Sequence, residues 1–304
     1  MQQKAIHYLL FSNLFYGICA VALAIENNLQ LGLPLNHVLW YLVTGLGTTY
    51  FYNLSYTQDP NPRPGNQRAA WLHTHHIWMR NLQNLLLAAW VAMGMLYIYF
   101  FGERVHLLSL FHWLALAGTL VVASLYYGIS FPGKLRWQLR KYGWLKPFII
   151  GWVWASVVSL LPLVALMLEQ GFSLNPGPLL GWFFLKNWMF IAVLCIMFDI
   201  KDYAADHNQQ LKTFVVQVGL RQTIHTIIIP LVLAGMGAYL LFVWYQGYQP
   251  GRIAFNFIPF AALLAVAYSL QKRRPIVYYL LVIDGLMLLK AACGIAGVLM
   301  LKYA

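Results

Sequence analysis

The sequence predicts an all-α integral membrane protein, a nine-transmembrane-helix bundle around a central cavity. Three observations carry this. The 304 residues are 61% AVILMFWYC and only 9% DEKR, against roughly 45–50% and about 25% in a soluble domain, and so few charges cannot cover a water-exposed surface. Apolar runs recur along the chain, each close to the ~20 residues a helix needs to cross about 30 Å of hydrocarbon. The runs are continuous, without the ~10-residue alternation of polar and apolar residues that marks membrane barrel strands.

In chain order the spans fall near residues 7–25, 35–56, 82–101, 106–128, 148–168, 179–199, 223–246, 253–271 and 276–301. Loops on one side are short or plain, whereas 57–81, 129–147 and 200–222 on the other are long. The first and third long loops each come after the second span of a four-span group. Residues 1–304 therefore read as a single membrane domain with pseudo-repeat halves at about 1–130 and 131–275, plus a ninth helix.

Basic residues near span ends stay on the cytoplasmic side. Lys4, Arg63, Arg68, Arg80, Lys134, Arg136, Arg140, Lys141, Lys146, Lys201, Lys212, Arg221, Lys272, Arg273 and Arg274 fall on one face, Arg104, Arg252 and Lys302 on the other, and Lys186 and Lys290 inside spans. This asymmetry predicts a multi-pass protein of the cell inner membrane with a cytoplasmic N-terminus and an external C-terminus. The formal charge of +12 is thus mostly an orientation signal, and the lipid bilayer rather than nucleic acid is the implied partner. Lys4 and Ala22-Leu23-Ala24 also fit a cleaved signal peptide, but the apolar run is long for one and its place in the topology favours a span. Cys19, Cys195 and Cys293 lie within spans, without metal-site spacing.

The strongest local signal ends the sixth span: Phe198-Asp199-Ile200-Lys201-Asp202-Tyr203-Ala204-Ala205-Asp206. Asp199, Asp202 and Asp206 share one face if the helix continues. Three like charges on one face repel, so a bound cation is one explanation and a solvated acidic helix end the other. Hard carboxylate oxygens suit Mg²⁺, which typically bridges one or two carboxylates to substrate phosphates.

These residues, with Leu211-Lys212-Thr213 and Val218-Gly219 downstream, resemble the second aspartate-rich motif of the UbiA superfamily of intramembrane prenyltransferases. Tyr126-Tyr127 through Lys134 and Arg136 to Lys146-Pro147 resemble that family's basic loop after the fourth span. The resemblance implies transfer of a prenyl group from a prenyl diphosphate to an aromatic or other lipophilic acceptor. It implies Mg²⁺ as cofactor, Asp199, Asp202 and Asp206 as its catalytic ligands, and Asn53, Lys134, Arg136, Lys146, Lys201 and Lys212 as substrate-binding residues. On an ideal helix Lys201 points away from the aspartate face.

The family's first motif, N-D-x-x-D-x-x-x-D, should fall at Asn53-Leu54-Ser55-Tyr56-Thr57-Gln58-Asp59-Pro60-Asn61. Asn53 alone matches, and Leu54, Thr57 and Asn61 stand where aspartates belong. That loss implies an alternative: a catalytically divergent or inactive protein of this fold that binds an isoprenoid, a quinone, a lipid or a partner subunit. Nearby His73, His75 and His76 read as polar interfacial loop, as anion ligands together with Arg63, Arg68 and Arg80, or as a metal site. Charges inside a membrane usually find a partner or a cavity, and here an ion pair between Asp284 and either Lys186 or Lys290 is expected, or contact with substrate.

Overall fold

The computed structural model describes residues 2–57, 67–127, 129–130, 136–137, 142–171, 177–208, 210–272 and 274–300. Among them the chain is helices joined by turns and short irregular segments, with one two-residue antiparallel ladder, β1 (Ile129–Ser130) with β2 (Arg136–Trp137). The helices run α1 (Gln2–Phe11), α2 (Leu14–Gln30), α3 (Val38–Thr57), α4 (Gln67–Thr74), α5 (His76–Phe101), α6 (Leu110–Tyr127), α7 (Lys146–Ala155), α8 (Leu161–Gln170) and α9 (Gly177–Asn208). They continue through α10 (Phe214–Val218), α11 (Leu220–Gln222), α12 (Ile229–Gln246), α13 (Pro250–Ser269), α14 (Ile276–Tyr278) and α15 (Gly285–Leu299).

Helix occupies each of the nine predicted stretches, but only six helical segments among the described residues are both long and apolar enough to cross a membrane: 76–107, 146–170, 179–204, 220–246, 250–269 and 276–299. The nine-span count is therefore not established. The other three stretches hold α2, which is 17 residues long, α3, which is interrupted by Gly, Thr and Tyr, and the short apolar α6. The expected first span, 7–25, is broken in two. Asn13 adopts φ 61°, a left-handed conformation that Asn tolerates better than most residues, and it separates α1 from α2. The second helix, α2, runs on to Gln30, beyond the expected end of the span.

Packing traces a circuit. α2 contacts α3, α3 contacts α5, the 3-10 turn after α5 (Gly102–Leu107) contacts α8, and α7 contacts α9; α9 then contacts α12, α12 contacts α13, α13 contacts α15, and α15 returns to α2. α6 lies against α7. The main core joins Phe15, Cys19, Leu23, Trp154, Phe190, Met197, Ile228, Leu263, Ile283 and Met287 from the segments around α2, α7, α9, α12, α13 and α15.

Three π-helical turns interrupt these helices, at 156–160, 223–228 and 279–283. Such a turn shifts the hydrogen-bond ladder by one residue and re-aims the side chains beyond it. In the first, the Ser159 carbonyl accepts from Asn27 and the Ser159 hydroxyl from Asn187. In the third, the Asp284 amide bonds back to the Tyr279 carbonyl at 3.2 Å, and the Asp284 carboxylate accepts from the Tyr16 hydroxyl at 2.7 Å.

The expected Asp284–lysine pair is not formed. Lys290 and Lys186 both turn to Glu26 instead, at 2.6 Å and 3.5 Å. All three side chains are buried. Glu26 sits one residue beyond the predicted first span, and α2 continues through it to Gln30 with Glu26 fully buried.

Candidate active site

The sequence motif occupies the far end of α9, which is continuous from Gly177 to Asn208. At 1.5 Å rise per residue, Asp199 stands ~20 Å along the axis from Lys186, so the motif and the Glu26 cluster belong to opposite ends of the bundle.

At the Asp199 end each carboxylate has its own surroundings. Asp199 is 1% exposed, and its Oδ1 accepts from Lys146 at 2.9 Å. Lys146 opens α7, with Pro147 in the first turn where a missing N–H is harmless. The second oxygen, Asp199 Oδ2, is buried without a hydrogen-bond partner, which for a carboxylate is an expensive arrangement unless something else takes it up. Asp202 pairs with Lys201 at 3.0 Å, both partly exposed. This departs from the ideal-helix expectation: the long lysine side chain folds back along the helix to its neighbour. Asp206 is buried at 5% exposure. Lys212 is exposed and the adjoining Thr213 buried. Gly143 packs so close to this pair that a Cβ there would lie 2.7 Å from the Thr213 amide nitrogen, which joins the segment before α7 to Lys212-Thr213.

Asn53 is fully buried in a different network. It accepts from the Asn13 side-chain amide and donates to the Ser12 carbonyl, both at 2.8 Å. Arg68, 5% exposed, donates to Asn13 Oδ1 and to the Phe11 carbonyl. The left-handed turn at Asn13 is thus locked by side chains from α3 and α4. The sequence offered Arg68 only as one basic loop residue among several, and no local pattern foretold that it would be buried. Lys134, Asp59, Asn61 and Arg63 lie outside the described residues. Of Arg136 only the backbone is described, and Thr57 is described as helix without its side chain.

A polar and aromatic chain leads away from Asp284 through Tyr16. Tyr16 stacks on Tyr52 with ring centroids 4.2 Å apart, and the Tyr52 hydroxyl accepts from the Trp154 indole at 2.6 Å. These contacts, with the Tyr16 bond to Asp284, join α2, α3, α7 and the start of α15.

The three loop histidines form no ligand set: His75 Nδ1 contacts the Trp71 carbonyl, His76 Nδ1 contacts the His73 carbonyl, and the His73 and His76 rings are 6.4 Å apart. Among the described residues no group of three or more His, Cys, Asp or Glu side chains is arranged to hold a metal ion. A preformed all-carboxylate cage is thus not present among them, although the buried, unpartnered Asp199 Oδ2 is the hard oxygen donor that a Mg²⁺ carried in with phosphates would use.

No protein-family model matches the chain, and no curated protein matches it in sequence. A solved structure of digeranylgeranylglyceryl phosphate synthase in membranes matches at a TM-score of 0.57 and 14% identity, over 98% of this chain and 99% of that one. The likeness shows a shared fold along essentially the whole chain.

Proposed function

We propose that this protein is a membrane prenyltransferase that moves a prenyl group from a prenyl diphosphate to an aromatic or other lipophilic acceptor. The observation that carries the reading is Asp199. It is a buried carboxylate at the end of a long apolar helix, held on one oxygen by Lys146 with the other unpartnered, in a fold shared end to end with a digeranylgeranylglyceryl phosphate synthase.

Asp199, assisted by Asp202 and Asp206, would hold Mg²⁺. Bound there, the ion would supply charge neutralisation for a departing diphosphate. The chain's own contribution is to place fixed cations around an anion and to keep water out. Lys146 and Lys201, 30% and 22% exposed, are open enough to turn toward phosphate oxygens. Lys212 adds a third ammonium and Lys134 and Arg136 two further cations from the loop before α7. Electrostatic stabilisation of this kind is strongest where water is excluded, and Asp199 is 1% exposed.

The second reading is a protein of this fold that binds an isoprenoid, quinone, lipid or partner subunit without turnover. Asn53 favours it, because both ends of its amide are engaged by Asn13 and Ser12. The test is diphosphate release from farnesyl, geranylgeranyl and longer prenyl diphosphates by the purified protein, with and without Mg²⁺. Turnover that needs the metal and drops about 100-fold or more in Asp199→Ala supports the transferase. Tight prenyl diphosphate binding without release in the native protein supports the binder.

A further inference from the structure

The charged cluster at the other end of the bundle is not used by the proposed chemistry, and its charges do not balance. Glu26, Lys186 and Lys290 are 0%, 1% and 5% exposed. Arg252, in the first turn of α13, is half-buried and extends the cluster outward. Its guanidinium stacks over the Tyr248 ring at 3.4 Å and donates to the Gln30 carbonyl and to Gln30 Oε1. Gln30 in turn donates to Asn256 and to the Gly294 carbonyl. The Tyr248 hydroxyl, which burial pushes up and so keeps protonated, also donates to the Gln30 carbonyl. Two lysines meet one carboxylate, and Arg252 adds a third cation through Gln30 and Tyr248, leaving two formal positive charges in a place where an unbalanced charge is costly.

Donors are in excess as well. The only carboxylate the two lysines contact among the described residues is Glu26, and Lys186 reaches it only at 3.5 Å. The Lys186 ammonium otherwise lies over aromatic faces, 4.2 Å from the Phe183 centroid and 5.1 Å from that of Tyr239. Tyr239 is 0% exposed, and its hydroxyl has no hydrogen-bond partner. Arg252 Nε is also buried and unpartnered. These two donors share a neighbourhood: Tyr239 packs in one cluster with Phe183, Phe242 and Tyr248, and the Arg252 guanidinium lies on the Tyr248 ring. Buried orphan donors are rare in native structures and require an acceptor.

We propose that Tyr239, Arg252 and Lys186 form a binding site for a small monovalent anionic group at the end of the bundle opposite Asp199. A halide-sized ion or the phosphate of an anionic lipid headgroup would satisfy the same donors and offset the same excess charge. Water would satisfy the donors but leave the charge. The site is independent of the prenyltransferase reading and stands or falls separately from it.

The experiment uses the full-length protein in neutral detergent. Sodium bromide replaces sodium gluconate at constant ionic strength, while the thermal unfolding midpoint and the bromide NMR line width are measured. Ligand that binds only the folded state raises the midpoint with saturation, and a charge-assisted hydrogen bond is strong enough that losing one weakens apparent bromide affinity about tenfold. That loss is expected in Tyr239→Phe, which keeps the ring, and in Arg252→Gln. Reconstitution in phosphatidylcholine and in phosphatidylglycerol nanodiscs separates the sources: a bromide response in the first and none in the second assigns the site to a headgroup phosphate, and a response in both to a free anion. No saturable response in detergent by either readout, or one equally strong in both variants, overturns the site. The line width measured on the native protein decides the matter even if a variant fails to fold.

Discussion

The two ends of α9 hold buried charge in different ways. At the Asp199 end the ion pairs of Asp199 and Asp202 each use one lysine that retains some exposure, and one oxygen of the most buried carboxylate is unpartnered. At the Glu26 end one carboxylate is shared by two buried lysines. The first arrangement can exchange its partners for a ligand at little structural expense. The second ties α2, α9 and α15 together, and removing one member strands the others. The contrast teaches that the end carrying a recognisable motif holds its ion pairs through single, partly exposed lysines, the arrangement that the proposed binding of a diphosphate would need.

The largest expected effect tests the tighter end. Glu26→Gln leaves Lys186 and Lys290 without a counter-charge, and breaking a buried pair in this way costs about 3–5 kcal/mol. Thermal unfolding in detergent should show a pronounced loss of stability, and the added change Lys290→Met should recover part of it. If Glu26→Gln melts like the native protein, the cluster does not clamp the helices.

Next comes Gly294→Ala. A Cβ at Gly294 would lie 2.7 Å from Glu26 Oε1, and overpacking of this kind costs about 1–3 kcal/mol. The same thermal assay reads it, with Gly285→Ala as a control because nothing lies within 4 Å of a Cβ there. Equal melting of the two alanine variants would remove the close-approach argument.

Smaller still is Trp154→Phe, which deletes the indole donor to Tyr52 while keeping an aromatic ring. A loss of about 1 kcal/mol is expected, and Tyr52→Phe combined with it should add almost nothing if the two groups act as one bond. Independent, additive losses would mean that the 2.6 Å contact contributes little. The smallest effect belongs to Asp202→Asn. Its partner Lys201 and the carboxylate itself are both partly exposed, and pairs of that kind are worth about 1 kcal/mol or less. Its stability should be close to native while diphosphate release, if present, falls; a large stability loss would place Asp202 among the charges that hold the fold rather than those that meet substrate.

The aspartate motif was legible because it is local: three carboxylates on one helical face need only the 3.6-residue period and the end of an apolar run to be recognised. Glu26 was not. With Asn27, Asn28 and Gln30 just after it, it reads as the start of an external loop, whereas α2 continues to Gln30 and this polar stretch is buried against partners on distant segments. The signal that could have found it was depth: Lys186 and Lys290 lie at one level and require a carboxylate there, and Asp284 lies nearer mid-depth, where Tyr16 takes it up. Arg68 was equally hidden, because its burial depends on Asn13 and Phe11, more than fifty residues earlier in the chain.

By itself the sequence determined the solvent of this protein and its helical class, since composition and run length decide how a chain partitions between water and hydrocarbon. It also determined the position of the Asp199 motif on its helix. Which charges meet was decided only by tertiary structure. Ion pairing inside a membrane depends on distances of a few ångströms between helices far apart in sequence, and it is the packing of α2, α9 and α15 that gives both lysines to Glu26 and leaves Asp284 to a tyrosine.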